Sequence, residues 1–208
     1  MHKATKIPGI TNLPPSASNM AIGLFGGSFN PPHPGHQLVS RQALKRLGLD
    51  AVWWLVTPGN PLKSHSNLAP LTDRVLAARD LITHPRVSAT GFEAEHGFRY
   101  TFDTIQHLRK TLPDRRFVWI MGADSFSQFH LWERWRDIAN LIPLAIYVRP
   151  GASNKALSSP AAHALSPFRI DEMDAKLLPN AKAPTWIYLN GLVSGHSSTA
   201  IRQAQKKP

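Results

Sequence analysis

Apolar residues along the 208-residue chain fall into short runs separated by amphipathic stretches. The run from Met20 to Phe25 predicts a buried strand, and Ala51 to Val56 ("AVWWLV") predicts a second. Between them Leu38, Val39, Ala43, Leu44 and Leu47 recur near helical spacing, with Gly48 as a stop. Further along, Leu71 to Thr83 predicts a helix that Pro85 ends, and Arg86 to Ala89 a short strand. Thr101 to Leu112 follows as a helix stopped before Pro113, and then come strands at Phe117 to Met121, Leu141 to Val148 and Trp186 to Leu189. "SSTAIRQAQKK" reads as a closing helix, "TPGNPLKSHSNLAP" as loop and "RPGASNKALSSPAAHALSP" as a mobile loop.

Strands alternating with helical stretches imply an α/β fold, a Rossmann-like parallel sheet with helices on both faces. Ligands of such sheets lie beyond the carboxyl ends of the strands, near a reversal of strand order. No internal repeat is present. Residues 1–19, with basic residues but no continuous apolar stretch, read as a flexible tail rather than a signal peptide, and residues 20–208 as one domain. No apolar run approaches the roughly 18 residues of a membrane span.

Composition narrows the partners. The balance of 24 Lys and Arg against 13 Asp and Glu gives a net charge of +11, which calls for an anionic partner: a nucleotide, a phosphorylated metabolite or a nucleic acid. The absence of cysteine excludes disulfides and thiolate metal sites and fits a reducing, cytoplasmic setting.

The stretch "GLFGGSFNPPHPGH" (23–36) breaks from an apolar run into glycines, prolines and paired histidines. Gly26 and Gly27 lack Cβ atoms, so the chain can turn tightly after the first strand and a phosphate can approach the amides there. Pro34 suits the first position of the next helix, whose unpaired amides favour an anion. His36 then falls in the first turn with His33 just ahead, and two imidazoles at that place can donate hydrogen bonds to phosphate oxygens. Plainer readings exist. A glycine pair after a strand is commonly an ordinary turn, and His-x-x-His can be a helix cap. A metal site lacks a third ligand nearby. The dinucleotide Gly-x-Gly-x-x-Gly pattern and the Walker loop are both absent.

At these residues "GGSFNPPHPGH" resembles the Gly-Gly-Ser-Phe-Asp-Pro-x-His-x-Gly-His signature of the His-x-Gly-His nucleotidyltransferases, with Asn30 where Asp is commoner. "SSTAIR" (Ser197 to Arg202) is similar to the Ser-Ser-Thr-x-x-Arg motif of the same superfamily, and is also a plausible Ser/Thr helix cap. "TPGNPLK" after the second strand, "YTFDT" (Tyr100 to Thr104), "MGADSFSQFHLWERW" (Met121 to Trp135) and "RPG" (Arg149 to Gly151) narrow the resemblance to the bacterial nicotinate-nucleotide adenylyltransferases, from about Ala21 to Arg202.

That resemblance implies transfer of the adenylyl group of ATP to nicotinate mononucleotide in NAD biosynthesis. His33, His36 and Arg202 would be catalytic. Gly26, Gly27, Ser28, Phe29, Gly122, Asp124, Ser198 and Thr199 would join them in holding ATP. Asn60, Lys63, Thr101, Asp124, Trp132, Glu133 and Arg149 would serve the acceptor, with Trp132 stacking on the ring and amides near Thr101 and Glu133 receiving its carboxylate. Mg²⁺ would travel with ATP rather than sit in a protein site. On residue type alone Trp132 and Trp135 are more often core aromatics, Asp124 is equally a helix cap and Lys63 is usually a solvated charge. Phosphopantetheine or nicotinamide mononucleotide are competing acceptors within the superfamily. A nucleic-acid partner would explain the charge but not the motifs, and neither nucleic acid nor membrane is expected.

Overall fold

The computed structural model describes residues 4–59, 68–148 and 154–190. In chain order its elements are β1 (Ala21–Gly27), α1 (Pro34–Arg46), β2 (Ala51–Val56), α2 (Leu71–Leu81), β3 (Val87–Thr90), α3 (Phe92–Glu95), α4 (Thr101–Thr111) and β4 (Arg116–Gly122). They continue with α5 (Ala123–Ser127), α6 (Trp135–Leu141), β5 (Leu144–Tyr147), α7 (Pro160–Ala164), β6 (Arg169–Ile170) and β7 (Trp186–Leu189). The seven strands form one sheet in the order β3-β2-β1-β4-β5-β7-β6, every pair parallel.

Alternation along the strands builds a core on each face. Ile22 and Leu24 of β1, Trp53 and Leu55 of β2 and Trp119 and Met121 of β4 face one layer, with Phe102, Ile105 and Leu108 of α4, Phe126 of α5 and Ile138 of α6. Phe25, Val52, Trp54, Val56, Val118 and Ile120 face the other, against Val39, Ala43 and Leu44 of α1 and Val75 and Ala78 of α2. All six residues of β2 are buried, which is why its sequence is a continuous apolar run instead of an alternating one.

The order reverses beside β1. From β1 the chain first builds outward through β2 and β3, then returns to place β4 on the opposite side. The crevice beyond the ends of β1 and β4 is therefore the topological switch point, where open α/β sheets bind ligands. Phe25 lies level with Ile120, so the residues following both strands open into the same crevice.

Three expectations need correction. The expected flexible tail is anchored partway along: Ile10 is 7% exposed and Thr11 fully buried. Gly91 N–H donates to Ile10 O at 2.9 Å, Thr5 N–H to Ala94 O at 2.8 Å, and Thr90 Oγ1 to Asn12 O at 2.8 Å. Edge strand β3 needs cover and backbone partners at its end, and the N-terminal segment supplies both. Second, the described part of the expected mobile loop holds α7, with Ser159 as N-cap and Ala161 and Ala162 buried. Third, α6 occupies much of the ground between β4 and β5, and β5 starts only at Leu144. The expected closing helix lies outside the described residues.

Candidate active site

Between β1 and α1 the chain is held by short-range contacts. Gly26 and Gly27 remain in the strand, opposite Leu55 and Val56, and the expected tight turn comes later. A Cβ at Gly26 would lie 2.7 Å from the Trp119 indole, so close packing is what demands glycine there. The turn falls on Phe29, at φ +45°, a left-handed conformation unfavourable for a residue with a side chain. Its ring is locked in place, stacked on Trp54 at 4.9 Å and 10° and tilted against His36 at 4.7 Å.

Helix α1 starts as its sequence suggests, with Pro34 at its first position and His33 as N-cap. His36 is third in the helix; its N–H donates to His33 O at 2.9 Å while His33 N–H donates back to His36 Nδ1 at 3.1 Å. His-x-x-His is thus a cap, as the plainer reading had it. The cap also has a chemical result: with Nδ1 accepting, the neutral ring carries its proton on Nε2 and presents a donor. His33 is 2% exposed and the two ring centroids are 3.8 Å apart. A helix start carrying two imidazoles at a switch point is suited to an anion.

Across the crevice, Gly122 ends β4 and is itself the N-cap of α5, which leaves Asp124 exposed in the first helical turn rather than capping it. Farther along, Trp132 is half-buried, edge-on to Trp119 at 6.3 Å and to Phe129 at 5.3 Å, whereas Trp135 is 9% exposed and belongs to the core. Glu133 is exposed and Thr101 is the first residue of α4, where amides have no intrahelical partner. The structure brings these two segments together: the Arg134 guanidinium lies 3.6 Å from the centre of the Phe102 ring. Arg134 has φ +55°, a local break between the half-buried Trp132 and the buried Trp135.

Sequence reasoning missed three residues. Arg134 is one. Arg74 of α2 is 3% exposed and hydrogen-bonds carbonyls of both loops flanking β1 and β2. Glu93 of α3 is 8% exposed; burial pushes its carboxyl up to about 7, opposed by hydrogen bonds from Thr104, at 2.8 Å, and Thr57. For Arg74 the signal was present: it shares the inner stripe of its helix with Val75 and Ala78. Asn60, Lys63, Arg149, Ser198, Thr199 and Arg202 lie outside the described residues.

Among the described residues no three His, Asp or Glu side chains gather as a metal cage. The donors around the β1–α1 turn are imidazole and backbone N–H, groups that suit phosphate oxygens and not the oxygen-seeking Mg²⁺. Nor, among those residues, is any helix long and apolar enough to cross a membrane.

Residues 24–204, from within β1 onward, match the Cytidylyltransferase-like family, to which the chain belongs, and its class is that of the nucleotidyltransferases. Within it the chain sides with the nicotinate-nucleotide adenylyltransferases. It is 52% identical over 187 residues to the probable nicotinate-nucleotide adenylyltransferase of Agrobacterium fabrum, covering 90% of this chain and 100% of that one. With that of Methylorubrum extorquens it shares 55% over 183 residues, 88% of this chain and 99% of the relative. Its fold matches that of Plasmodium falciparum nicotinic acid mononucleotide adenylyltransferase complexed with NaAD, at TM-score 0.65 and 15% identity over 88% of this chain and 82% of that one.

Proposed function

We propose that this chain transfers the adenylyl group of ATP to nicotinate mononucleotide, giving nicotinate adenine dinucleotide and pyrophosphate. The observation that carries the reading is the His33–His36 cap: it sets a ring N–H donor at a helix start beside the switch point. The relatives' names supply the acceptor.

A phosphate oxygen of the mononucleotide attacks the α-phosphorus of ATP; that P–O bond forms as the bond to the β-phosphate oxygen breaks, and pyrophosphate leaves with the electron pair. No protein nucleophile is needed, so the chain's work is placement and charge stabilisation. His36 Nε2 and His33 serve the α- and β-phosphates, and the backbone of Gly26, Gly27, Ser28 and Phe29 lines their approach. Gly122 and Asp124 take the ribose side, where a carboxylate can accept from hydroxyls. Trp132 offers its exposed face to the pyridine ring, with the amides of Thr101 and Glu133 for its carboxylate. Asn60, Lys63 and Arg149 on the acceptor, and Ser198, Thr199 and Arg202 on the leaving pyrophosphate, rest on the motif match alone. Mg²⁺ bound to the ATP phosphates would neutralise charge there, held by nucleotide and water. A cytoplasmic setting goes with this reading and with the lack of cysteine.

The test is pyrophosphate release with ATP and each mononucleotide. Two charge-assisted hydrogen bonds at about 1.5–3 kcal/mol each predict a preference for nicotinate over nicotinamide of at least about a hundredfold in kcat/KM. Trp132→Ala should impair both acceptors while leaving the KM for ATP near its parental value. Equal rates with both acceptors in the parent would refute the assignment.

A further inference from the structure

An arginine with 3% of its surface exposed ordinarily faces a carboxylate, yet among the described residues Arg74 forms no ion pair. Its guanidinium instead donates to four backbone carbonyls: Nε to Ala69 O at 2.8 Å, Nη1 to Ser28 O and to Thr57 O at 2.8 Å each, and Nη2 to Pro58 O at 3.4 Å. Ser28 belongs to the β1–α1 turn; Thr57 and Pro58 follow β2; Ala69 precedes α2. One side chain therefore ties the phosphate turn to both ends of the segment that joins β2 to α2. The same junction is reinforced by Thr57 N–H donating to Gly27 O at 3.0 Å.

We propose that Arg74 is a positioning residue for the ATP phosphates, acting through the Ser28–Phe29 peptide. A trans peptide directs its C=O and N–H oppositely. With Ser28 O drawn inward onto the guanidinium, the Phe29 N–H is aimed away from Arg74, out of the core. The same grip holds Phe29 in its left-handed conformation and hence its ring beneath His36. A buried positive charge, matched among the described residues by carbonyl dipoles, also lies directly behind the turn, where it favours an anion in front. The inference rests on the reading of that turn as a phosphate site, and it assigns a role to a residue outside every signature motif.

The experiment compares Arg74→Lys and Arg74→Met with the parent in steady-state pyrophosphate release, at a temperature where circular dichroism shows each protein folded. Arg74→Lys keeps the charge but its ammonium cannot span four carbonyls, so the KM for ATP should rise about tenfold, the worth of one charged hydrogen bond. Arg74→Met loses charge as well and should raise it further and lower kcat. A purely structural arginine would reduce only melting temperature and active fraction, leaving the KM for ATP unchanged. A folded Arg74→Lys with parental KM overturns the proposal even if Arg74→Met fails to fold. A parent that releases no pyrophosphate with either mononucleotide refutes the reading of the reaction, and the proposal with it.

Discussion

Replacing Glu93 by Gln should make the protein more stable at alkaline pH and hardly change it in acid. The carboxyl is 8% exposed, accepts from Thr104 Oγ1 at 2.8 Å, and titrates at about 7 instead of 4.5 because burial disfavours its charge. Its folded pKa lies above its unfolded one, so between pH 4.5 and about 7 the folded state holds more of this proton. Stability falls as pH rises through that window and levels off above it. Linkage gives a loss of about 1 kcal/mol at pH 5 and about 3 kcal/mol at pH 8, so the difference is about 2–3 kcal/mol. Gln keeps an acceptor for Thr104 and cannot ionise. Any fixed cost of its amide is the same at both pH values and cancels. His107, lowered by burial and by neighbouring His96 and Lys110, titrates in both proteins and also cancels. At about 2–4 °C per kcal/mol for a chain this size, the melting temperature of Glu93→Gln minus that of the parent should grow by about 5–10 °C from pH 5 to pH 8. Scanning calorimetry of the two proteins at both pH values measures it. Parallel melting curves would show that Glu93 ionises in the fold without penalty.

Two further changes probe the site and the N-terminal segment. His36→Ala should lower kcat by about a hundred- to a thousandfold, as for loss of one transition-state donor, and cost about 1 kcal/mol of stability through the lost cap; kinetics at the parental level would reduce the histidine pair to a cap alone. Deleting residues 1–13 exposes what Ile10 covers, worth about 1.5–3 kcal/mol, and should lower the melting temperature by about 5 °C or more while sparing kcat at low temperature; an unmoved melting temperature would show that the packed segment contributes nothing.

The sequence was most legible where burial was complete. β2 and β7 have the bounds their apolar runs predict, and β1 runs two residues farther because Gly26 and Gly27 still pair with β2. α6 was readable in principle, since Trp135, Ile138 and Ala139 are buried at helical spacing, but Leu141 and Ile142 at its end sit next to the apolar run of β5, with only Pro143 between. The 3₁₀ stretch Glu172–Asn180 buries only Ala175, Leu178 and Pro179, too few to show a period. At the site, His33 and His36 were visible because capping and chemistry use the same spacing. Trp132 and Trp135 were indistinguishable until the left-handed Arg134 separated them. The partners of Arg74 are backbone carbonyls, which leave no mark on residue type.

Trp119 touches both halves of the crevice. One edge of its indole fills the space that a Cβ at Gly26 would need, and another meets Trp132 edge-on at 6.3 Å. Under the proposed reaction the strand behind the phosphates and the ring that would meet the pyridine thus rest on the same indole, with 2% of its surface exposed. Trp119 would then help set the gap between the two reacting nucleotides. A substitution at Trp119 would on that reading disturb donor and acceptor together, so the two would be tuned as a unit.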